Sequence, residues 1–257
     1  MAHRMLQVRL YRPEDRDLLV KILCYPKPCS DEVLADRLRQ LQELDVDAVV
    51  SYGCQEVQGF NVLGKGCDSV VVKALVNDLA VALKIRRVDS HVKTLISEGE
   101  SQALANTFGV GAKVYGFTRD FIVMELVEGL LIGDFVVKAE ASELRDALRD
   151  LLEQCWRLDT AGLDHGELSR AYRHVLFSNG KPVILDFGSS SRRRRPSNVS
   201  SIFSFLFLTG SPLSRVVCEK LGVEAEREAL IEALRTYKRL KTRSSFMDLL
   251  RAVKLIG

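Results

Sequence analysis

Two features of this sequence are suited to binding phosphate. They are a glycine-rich stretch and a lysine on the third strand of the same predicted sheet. Residues 64–71, GKGCDSVV, lie between two predicted strands, and their glycines let backbone N–H groups approach phosphate oxygens. Lys84 follows 20 residues after Gly64 within the apolar run VALKI, where a charge is unfavourable unless it is paired or bound. Its expected partner is a helical carboxylate, either Glu98 or Glu100, which cannot both face the sheet.

Three further stretches extend this pattern. Residues 186–188, DFG, directly follow the predicted strand PVIL, and the aspartate of a D-F-G motif binds the metal that bridges the phosphates of ATP. Residues 124–129, MELVEG, close a strand and suit a segment whose backbone groups contact adenine. Residues 163–177, LDHGELSRAYRHVLF, match a kinase catalytic loop with two substitutions. Each motif is weak alone, but their common order predicts a protein-kinase-like fold that uses ATP and Mg²⁺.

The segment that precedes these motifs, residues 1–55, shows no recognisable catalytic or binding pattern. Pro13 suits the start of a helix over residues 13–24, and Ser30 suits the N-cap of a second helix that ends near Leu44. A strand, DAVVSY, follows. The apolar stripe of the second helix is predicted to contain Val33, Leu34, Leu38, Leu41 and Leu44. We interpret this segment as a brace for the following sheet, with a winged-helix-like module as the alternative.

The rest of the chain changes from strands to helices. Residues 56–126 predict five antiparallel strands, with Asn77 and Asp78 in a tight turn and one helix over about 90–106. After Gly129, a hairpin around SNGK interrupts helices predicted over residues 140–160, 198–208, 213–221, 224–238 and 244–255. The predicted fold is therefore α+β and bilobal, with an N-terminal helical extension (1–55), a five-stranded antiparallel, ATP-binding N-lobe with one helix (56–127) and a mainly helical, catalytic C-lobe (128–257).

The quoted motifs resemble one branch of the small atypical kinases, the RIO and Bud32-like branch. The similar stretches are VLGKGCDSVVVK, GAKVYGFTRDFIVMELVEG, LDHGELSRAYRHVLF and DFGSSSRRRRPSNVSS, so the resemblance covers about residues 56–210. The archaeal group that the sequence most resembles includes RNA kinases that phosphorylate a ribose 2′-hydroxyl of tRNA, which implies a variable-loop uridine as acceptor. Glu98 is preferred as the partner of Lys84, because Gly109 and Val110 then fall where the related pattern has them.

The resemblance assigns roles to residues. Catalytic roles are implied for Lys84, His165, Glu167 and Asp186, the last of which would also hold Mg²⁺. ATP-binding roles are implied for Gly64, Lys65, Gly66, Val71, Ala82, Lys84, Glu98, Met124, Glu125 and Val127.

The catalytic loop departs from the usual H-G-D-L-x-x-x-N of the branch at two positions. Glu167 replaces the aspartate with the same charge and one more methylene, so it can still contact an acceptor hydroxyl. His174 occupies the place of the metal-binding asparagine but comes seven residues after Glu167 rather than five. Because imidazole is a poor ligand for magnesium, His174 is expected to form a weak second metal site, to steer a phosphate or simply to pack. Both departures lie in the part of the loop that faces the acceptor, so they indicate a changed substrate more than a loss of catalysis.

The acceptor is predicted from charge and from a missing segment. The long activation segment that ends in A-P-E in kinases of protein substrates is absent, and SSSRRRRPSN leads directly into a helix. Basic residues near the catalytic loop and the C-terminus suit the phosphates of structured RNA, although such runs are often plain solvated surface. The predicted RNA contacts are Arg170, Arg173, Arg192, Arg193, Arg194, Arg195, Lys238, Arg239, Lys241 and Arg243.

Composition excludes several classes of protein. The 257 residues are 47% apolar and 28% charged, with a net charge of +3, which excludes a disordered chain. The absence of a long apolar run or signal-peptide pattern predicts a cytoplasmic protein without membrane contact. Six cysteines without zinc spacing and four scattered histidines argue against a zinc site, and the cysteines are expected to be reduced and mostly buried.

The leading functional prediction is an ATP-dependent kinase that phosphorylates a tRNA 2′-hydroxyl. Two alternatives stay open: a serine/threonine protein kinase of the same branch, and an ATPase or ATP-sensing subunit of a tRNA-modification complex. A protein substrate or a complex partner is therefore not excluded by the motifs.

Overall fold

The computed structural model describes residues 9–12 and 15–257, and the chain forms two compact units. The first unit contains the described residues up to Ala103 together with Lys113–Leu126. The second contains Leu104–Ala112 and Val127–Gly257. Antiparallel sheets and several helices make the chain an α+β protein, as the sequence predicts.

The first unit is built on one large antiparallel sheet whose strand order is β1-β2-β6-β7-β9-β8, with β5 paired to β6. A separate hairpin pairs β3 with β4. The first of the five predicted strands is divided into β4 and β5, and the other four correspond to β6 to β9. From the N-terminal segment, β1 and β2 extend the large sheet. The bounds are β1 (Arg9–Tyr11), β2 (Val46–Ser51), β3 (Gln55–Val57), β4 (Phe60–Val62), β5 (Gly64–Lys65), β6 (Ser69–Val76), β7 (Leu79–Arg86), β8 (Val114–Phe117) and β9 (Phe121–Glu125).

Two helices of the first unit precede this sheet, α1 (Arg16–Leu23) and α2 (Asp31–Glu43). Ser30 is the N-cap of α2, as predicted, and its hydroxyl accepts a hydrogen bond from the Val33 N–H. The predicted start of α1 at Pro13 lies outside the described residues. The predicted apolar stripe of α2 is wrong at Val33, which is exposed, because the buried face instead contains Arg37 and Gln40 beside its leucines.

Arg37 is completely buried, and both terminal nitrogens of its guanidinium form hydrogen bonds within the protein. It donates to the backbone oxygens of Leu23 and Arg86, the latter at 2.7 Å, and to the carboxylate of Asp120 at 3.3 Å. Burial lowers the pKa of Arg37 to about 10 although the charge of Asp120 opposes the shift. These contacts attach α1 and α2 to the sheet, which agrees with the interpretation of this segment as a brace.

The β6–β7 hairpin has the predicted tight turn, in which Asn77 and Asp78 both adopt left-handed backbone conformations with φ of 48° and 63°. The following helix, α3 (Ile96–Thr107), begins six residues later than predicted (96 − 90). The Ser90 hydroxyl donates to Asp68 at 2.6 Å, and the Thr94 hydroxyl accepts from the Ile96 N–H at 3.2 Å. These side-chain hydrogen bonds compete with helix formation in the intervening segment.

The cysteines do not follow the prediction of reduced, mostly buried thiols. Cys24 and Cys29 form a disulfide with their Cα atoms 5.4 Å apart, which brackets the turn between α1 and α2. Cys54 and Cys67 are exposed free thiols, and Cys218 is half-buried. Only Cys155 matches the prediction fully, and burial raises the pKa of its thiol.

The second unit is mainly helical and contains a small antiparallel sheet of order β10-β11-β12. One face of α5 (Ala141–Thr160) is completely buried, since Leu144, Leu148, Leu151, Leu152 and Cys155 are each 0% exposed. The bounds are β10 (Leu130–Leu131), α4 (Ile132–Lys138), α5 (Ala141–Thr160), β11 (Val175–Ser178), β12 (Lys181–Ile184), α6 (Asn198–Phe203), α7 (Pro212–Leu221), α8 (Arg227–Leu240) and α9 (Arg243–Ala252).

Two short irregular helices complete this unit. A 3₁₀ helix, Leu168–Arg173, follows Glu167 in the predicted catalytic loop, and a π-helical turn, Ser204–Leu208, continues α6. No single helix within the described residues has the length and apolarity needed to cross a membrane. The bent pair Asn198–Leu208 and Pro212–Leu221 passes that test only when its two members are combined.

Candidate functional site

The glycine-rich stretch and Lys84 lie side by side in the first unit because three strands align them. Gly64 on β5 is paired with Val71 on β6, and Val71 is paired with Lys84 on β7. The turn between β5 and β6 is closed by a hydrogen bond from the Gly66 N–H to the Ser69 carbonyl, at 2.8 Å. The register therefore places the predicted phosphate-binding turn next to the predicted phosphate-binding lysine.

Lys84 forms an ion pair with Glu98 of α3, as the sequence predicts. The two side chains are each 8% exposed, so this pair is almost completely removed from water. A buried ammonium and a buried carboxylate are tolerable only when they are paired, which explains why both occur here. The choice of Glu98 over Glu100 is confirmed by this contact.

The segment predicted to contact adenine begins on β9. Met124 pairs with Ala82 of β7, and the Gln102 amide lies 3.6 Å from the Met124 sulfur. The Glu125 carboxylate accepts a hydrogen bond from the Lys113 N–H at 3.2 Å. Val127, the last predicted ATP contact, belongs to the second unit.

The DFG turn in the second unit follows β12 and has an unusual backbone. Asp186 adopts a left-handed conformation with φ of 67°, which is uncommon for a residue other than glycine. Its carboxylate accepts a hydrogen bond from the Gly188 N–H at 3.3 Å and is exposed, whereas Phe187 is 0% exposed. A buried phenylalanine thus anchors a turn that presents a carboxylate at the surface, and such conformations often mark functional sites.

His165 connects the DFG turn to the loop that carries Glu167. Its Nε2 lies 3.0 Å from the Leu185 carbonyl, and its Nδ1 lies 3.4 Å from the Glu167 N–H. A neutral ring with hydrogen on Nε2 satisfies both contacts, since Nε2 then donates and Nδ1 accepts. Burial lowers the pKa of His165 to about 4, which keeps the ring neutral at physiological pH.

Glu167 is held by its surroundings at the start of the 3₁₀ helix. One of its carboxylate oxygens accepts a hydrogen bond from the Ser189 hydroxyl at 3.0 Å. Gly166, which precedes it, has φ of 90°, and a Cβ atom there would lie 2.7 Å from the Ser189 carbonyl oxygen. The glycine therefore allows the loop to approach the segment after the DFG turn closely enough for this contact.

A buried hydrogen-bond network that the sequence analysis missed supports this loop. Asn198 accepts from the His165 N–H at 2.8 Å and donates to the Leu163 carbonyl at 2.7 Å. Asp159 accepts from the Asn198 amide at 2.9 Å and from the Tyr237 hydroxyl at 2.7 Å. Burial, reinforced by the charge of Asp159, raises the pKa of Tyr237, so its hydroxyl stays protonated and donates.

Asp164 is a second position that the sequence analysis missed. Its backbone forms a bridge with Ser191, and its carboxylate accepts from Arg194 at 2.8 Å and from the Ser197 N–H at 2.9 Å. The segment that follows the DFG turn is therefore fastened to the catalytic loop. The only sequence signal for this role was the arginine run itself, whose members could not be distinguished.

The basic residues predicted to contact RNA divide into two groups in the structure. Arg194 bonds Asp164, Arg195 donates to the Lys238 carbonyl at 2.7 Å, Lys241 donates to the Pro196 carbonyl, and Arg243 pairs with Glu153. These four side chains stabilise the second unit itself. The predicted contacts whose side chains are exposed and have no described intramolecular bond are Arg170, Arg173, Arg192, Arg193, Lys238 and Arg239.

The donors available to a metal are few. Over residues 9–12 and 15–257, no group of three or more His, Cys, Asp or Glu side chains is arranged to bind a metal ion. Magnesium commonly takes one or two carboxylates and completes its shell with phosphate oxygens and water, so the exposed carboxylate of Asp186 fits this requirement. His174 Nδ1 is buried without a hydrogen-bond partner in the described structure, but a nitrogen donor suits magnesium poorly.

Comparison with known proteins does not name a function for this chain. No family model matches this chain. An uncharacterized protein of Methanocaldococcus jannaschii is 27% identical over 118 residues, which are 46% of this chain and the full length of that relative. The name of this relative describes no activity, so the function has to be argued from the geometry of the site.

Proposed function

We propose that this chain is an ATP-dependent phosphotransferase with a bilobal, protein-kinase-like fold, related to the atypical kinase branch that its motifs resemble. The RNA kinases of that branch are its proposed relatives, and its proposed acceptor is a ribose 2′-hydroxyl of tRNA. The proposal assigns phosphate binding to the first unit, and metal binding and acceptor activation to the second.

The observation that carries this proposal is the position of His165. Its two ring nitrogens bond the Leu185 carbonyl, directly before Asp186, and the N–H of Glu167. One buried neutral side chain thus joins the two backbone segments that carry the carboxylates of Asp186 and Glu167, and metal binding and acceptor activation in phosphoryl transfer both depend on such positioning.

Lys84 would neutralise the phosphates of ATP in the first unit. The ion pair with Glu98 holds its side chain in one place, and the strand register sets it beside the glycine-rich turn. Backbone N–H groups of Gly64 and Lys65 would donate to phosphate oxygens, whereas that of Gly66 already bonds the Ser69 carbonyl. These contacts would hold the triphosphate still while the γ-phosphoryl group is transferred.

Asp186 would hold the magnesium ion, which when bound supplies charge neutralisation to the phosphates. Glu167 would accept a hydrogen bond from the acceptor hydroxyl and then its proton. The hydroxyl oxygen forms a bond to the γ-phosphorus as the bond between that phosphorus and the bridging β–γ oxygen breaks, and ADP leaves with the electron pair. Ser189, which donates to Glu167, would keep this carboxylate oriented.

RNA is proposed over protein as the acceptor because of the segment that follows the DFG turn. It has no long peptide-docking stretch, and it places Arg192 and Arg193 at the surface beside a loop that exposes Arg170 and Arg173. Exposed arginines of this kind suit the phosphates of a folded RNA.

The test is transfer of label from [γ-³²P]ATP to total tRNA and, separately, to total protein. Wild-type protein should label tRNA, and Asp186→Asn should abolish the labelling. Asp248→Asn, which changes an exposed carboxylate of α9 paired only with Arg251, is the matched control and should retain it.

The outcomes of this experiment separate the alternatives. Label found only in protein would contradict the RNA acceptor and favour a serine/threonine kinase. Hydrolysis of ATP without transfer, stimulated by a partner protein, would favour an ATPase subunit. Equal turnover by the wild type and Asp186→Asn would contradict the assignment of the site.

A further inference from the structure

The second unit contains an open cavity of about 300 Å³ that is lined mostly by residues with hydroxyl groups. Five serines and one threonine line it together with Phe205 and Lys238. Its volume lies at the lower end of the range for small-ligand sites. The hydroxyls and one ammonium can bind a polar ligand, and neither the ATP-binding nor the catalytic residues proposed above form part of this wall.

Lys238 supplies the charge of this cavity. It is the one charged residue among those that form the wall, and its ammonium group has no hydrogen-bond or ion-pair partner among the described residues. Its backbone is fixed, because the Lys238 carbonyl accepts a hydrogen bond from Arg195 at 2.7 Å. A fixed α8 thus carries an ammonium that is available to an anion.

A carboxylate bonded to the cavity wall does not cancel this charge. The hydroxyl of Ser197, one of the lining residues, donates to Asp164 at 3.1 Å. The other oxygen of Asp164 accepts from Arg194 at 2.8 Å, so the negative charge of Asp164 is already neutralised by an arginine. The balance of charge around the cavity therefore favours an anion.

The cavity adjoins the loop that carries Glu167. Ser169, in the 3₁₀ helix that begins directly after Glu167, forms part of the wall. The same helix is held against the π-helical turn by Tyr172, whose ring packs edge-on to Phe205 with centroids 4.9 Å apart. Ser204 and Phe205 of that turn also line the cavity. A ligand here would lie beside the residue proposed to contact the acceptor.

We propose that this cavity binds a sugar–phosphate unit of the acceptor RNA, a neighbour of the nucleotide that reacts; the inference rests on the proposed function. An ammonium is a suitable point charge for a phosphate. Serine and threonine hydroxyls both donate and accept, so they match phosphate oxygens and ribose hydroxyls alike. Lysine, serine and threonine are also among the residues that usually contact the nucleic-acid backbone.

The first test uses ribose 5-phosphate, which carries both groups, and measures its affinity for the full chain by titration calorimetry at low ionic strength. Lys238→Gln should weaken binding about tenfold or more, because a hydrogen bond to a charged group is lost. Arg235→Gln, on the same helix but outside the cavity wall, should leave the affinity unchanged. Loss of binding in Lys84→Gln with retention in Lys238→Gln would overturn the proposal.

The second test measures tRNA binding as a function of salt concentration. Lys238→Gln should reduce the slope of log K against log salt by about one phosphate contact relative to Arg235→Gln. Ser204→Ala should weaken tRNA binding without changing that slope, since it removes a neutral group. Identical slopes for Lys238→Gln and Arg235→Gln would contradict a phosphate in this cavity.

Failure of the proposed function would look different. If ribose 5-phosphate binds in a Lys238-dependent way but tRNA receives no label from ATP, the cavity is a phosphate-ester site and the kinase assignment falls. If tRNA is labelled and Lys238→Gln behaves as the wild type in both titrations, the kinase assignment stands and the cavity proposal falls.

Discussion

Two buried ion pairs of the first unit, Arg37–Asp120 and Lys84–Glu98, differ in how their charges are used. Arg37 and Asp120 are both 0% exposed, and each forms several hydrogen bonds within the protein. Asp120 accepts from Gln40 and Arg86 as well as from Arg37, and although burial raises the pKa of Asp120, these contacts lower it below its usual value overall. These contacts join α2 to the sheet, and complete burial keeps the pair from a ligand in solvent.

Lys84 and Glu98 keep slight exposure, 8% for each side chain. The strand register sets this pair beside a glycine-rich turn, whereas Arg37 lies on a helix that braces the sheet. The comparison shows that burial of a charge alone does not identify a functional residue. The position of the pair next to backbone donors suited to phosphate distinguishes Lys84 from Arg37.

The largest expected effect is the loss of unfolding free energy when the Arg37–Asp120 pair is broken. Asp120→Asn leaves Arg37 buried without its counter-charge, and breaking a buried pair in this way typically costs about 3–5 kcal/mol of unfolding free energy. Chemical denaturation measures this loss. Asp36→Asn, which changes a carboxylate that is 31% exposed and paired with Arg39 and Arg119, should cost less than about 1 kcal/mol. Equal losses for the two variants would contradict the contrast between buried and exposed pairs.

The second prediction concerns the other pair and its effect on activity. Lys84→Met should lower the rate of ATP turnover about 10²–10³-fold, as loss of one preorganised electrostatic contact commonly does. Single-turnover kinetics and denaturation should be measured on the same preparation. Arg37→Met should instead lower stability while leaving the turnover per folded molecule near that of the wild type. A drop in turnover with Arg37→Met and none with Lys84→Met would reverse the comparison.

The Arg37–Asp120 pair could not be predicted from the sequence, whereas the Lys84–Glu98 pair could, and the reason is physical. Lys84 interrupts an apolar strand whose neighbours are fixed by a tight hairpin, so the sequence predicts both its burial and its need for a helical carboxylate. Arg37 sits in an amphipathic helix whose charged residues normally face water, and its partner Asp120 lies 83 residues away (120 − 37). Periodicity alone could not predict that an arginine would replace Val33 on the buried face.

The same reasoning applies to the second unit. Glu167, His165 and Asp186 were predicted because motif spacing identifies them, and their roles stay predictions. Asn198, Asp159 and Tyr237 were missed because their mutual contacts join residues 33 to 78 positions apart and no local pattern requires them. Sequence reasoning thus found residues that carry motifs and failed to find the polar network that positions them.

The third prediction concerns pH and tests the buried neutral state of His165. The pKa of His165 is about 4 in the folded chain against an ordinary value of 6.5, so between these values the unfolded chain binds more protons. Stability should therefore fall as pH decreases from about 6.5 to about 4, by on the order of 3 kcal/mol from this group. Denaturation of wild type and His165→Gln at pH 7 and pH 5 measures the difference. An unchanged pH dependence in His165→Gln would contradict a neutral buried ring.

The smallest expected effect extends the comparison of ion pairs to the surface. Arg243 donates to both oxygens of Glu153 at 2.6 Å, yet their side chains are 51% and 28% exposed. Arg243→Gln should therefore cost less than about 1 kcal/mol, since solvent screens an exposed pair. Because Arg243 is already paired, this change should also reduce tRNA binding less than Arg192→Gln does. Denaturation measures the loss of unfolding free energy, and filter binding measures the loss of tRNA affinity. A loss of stability well above about 1 kcal/mol would contradict solvent screening of this pair. A loss of tRNA affinity as large as that of Arg192→Gln would contradict the assignment of Arg243 to contacts within the second unit.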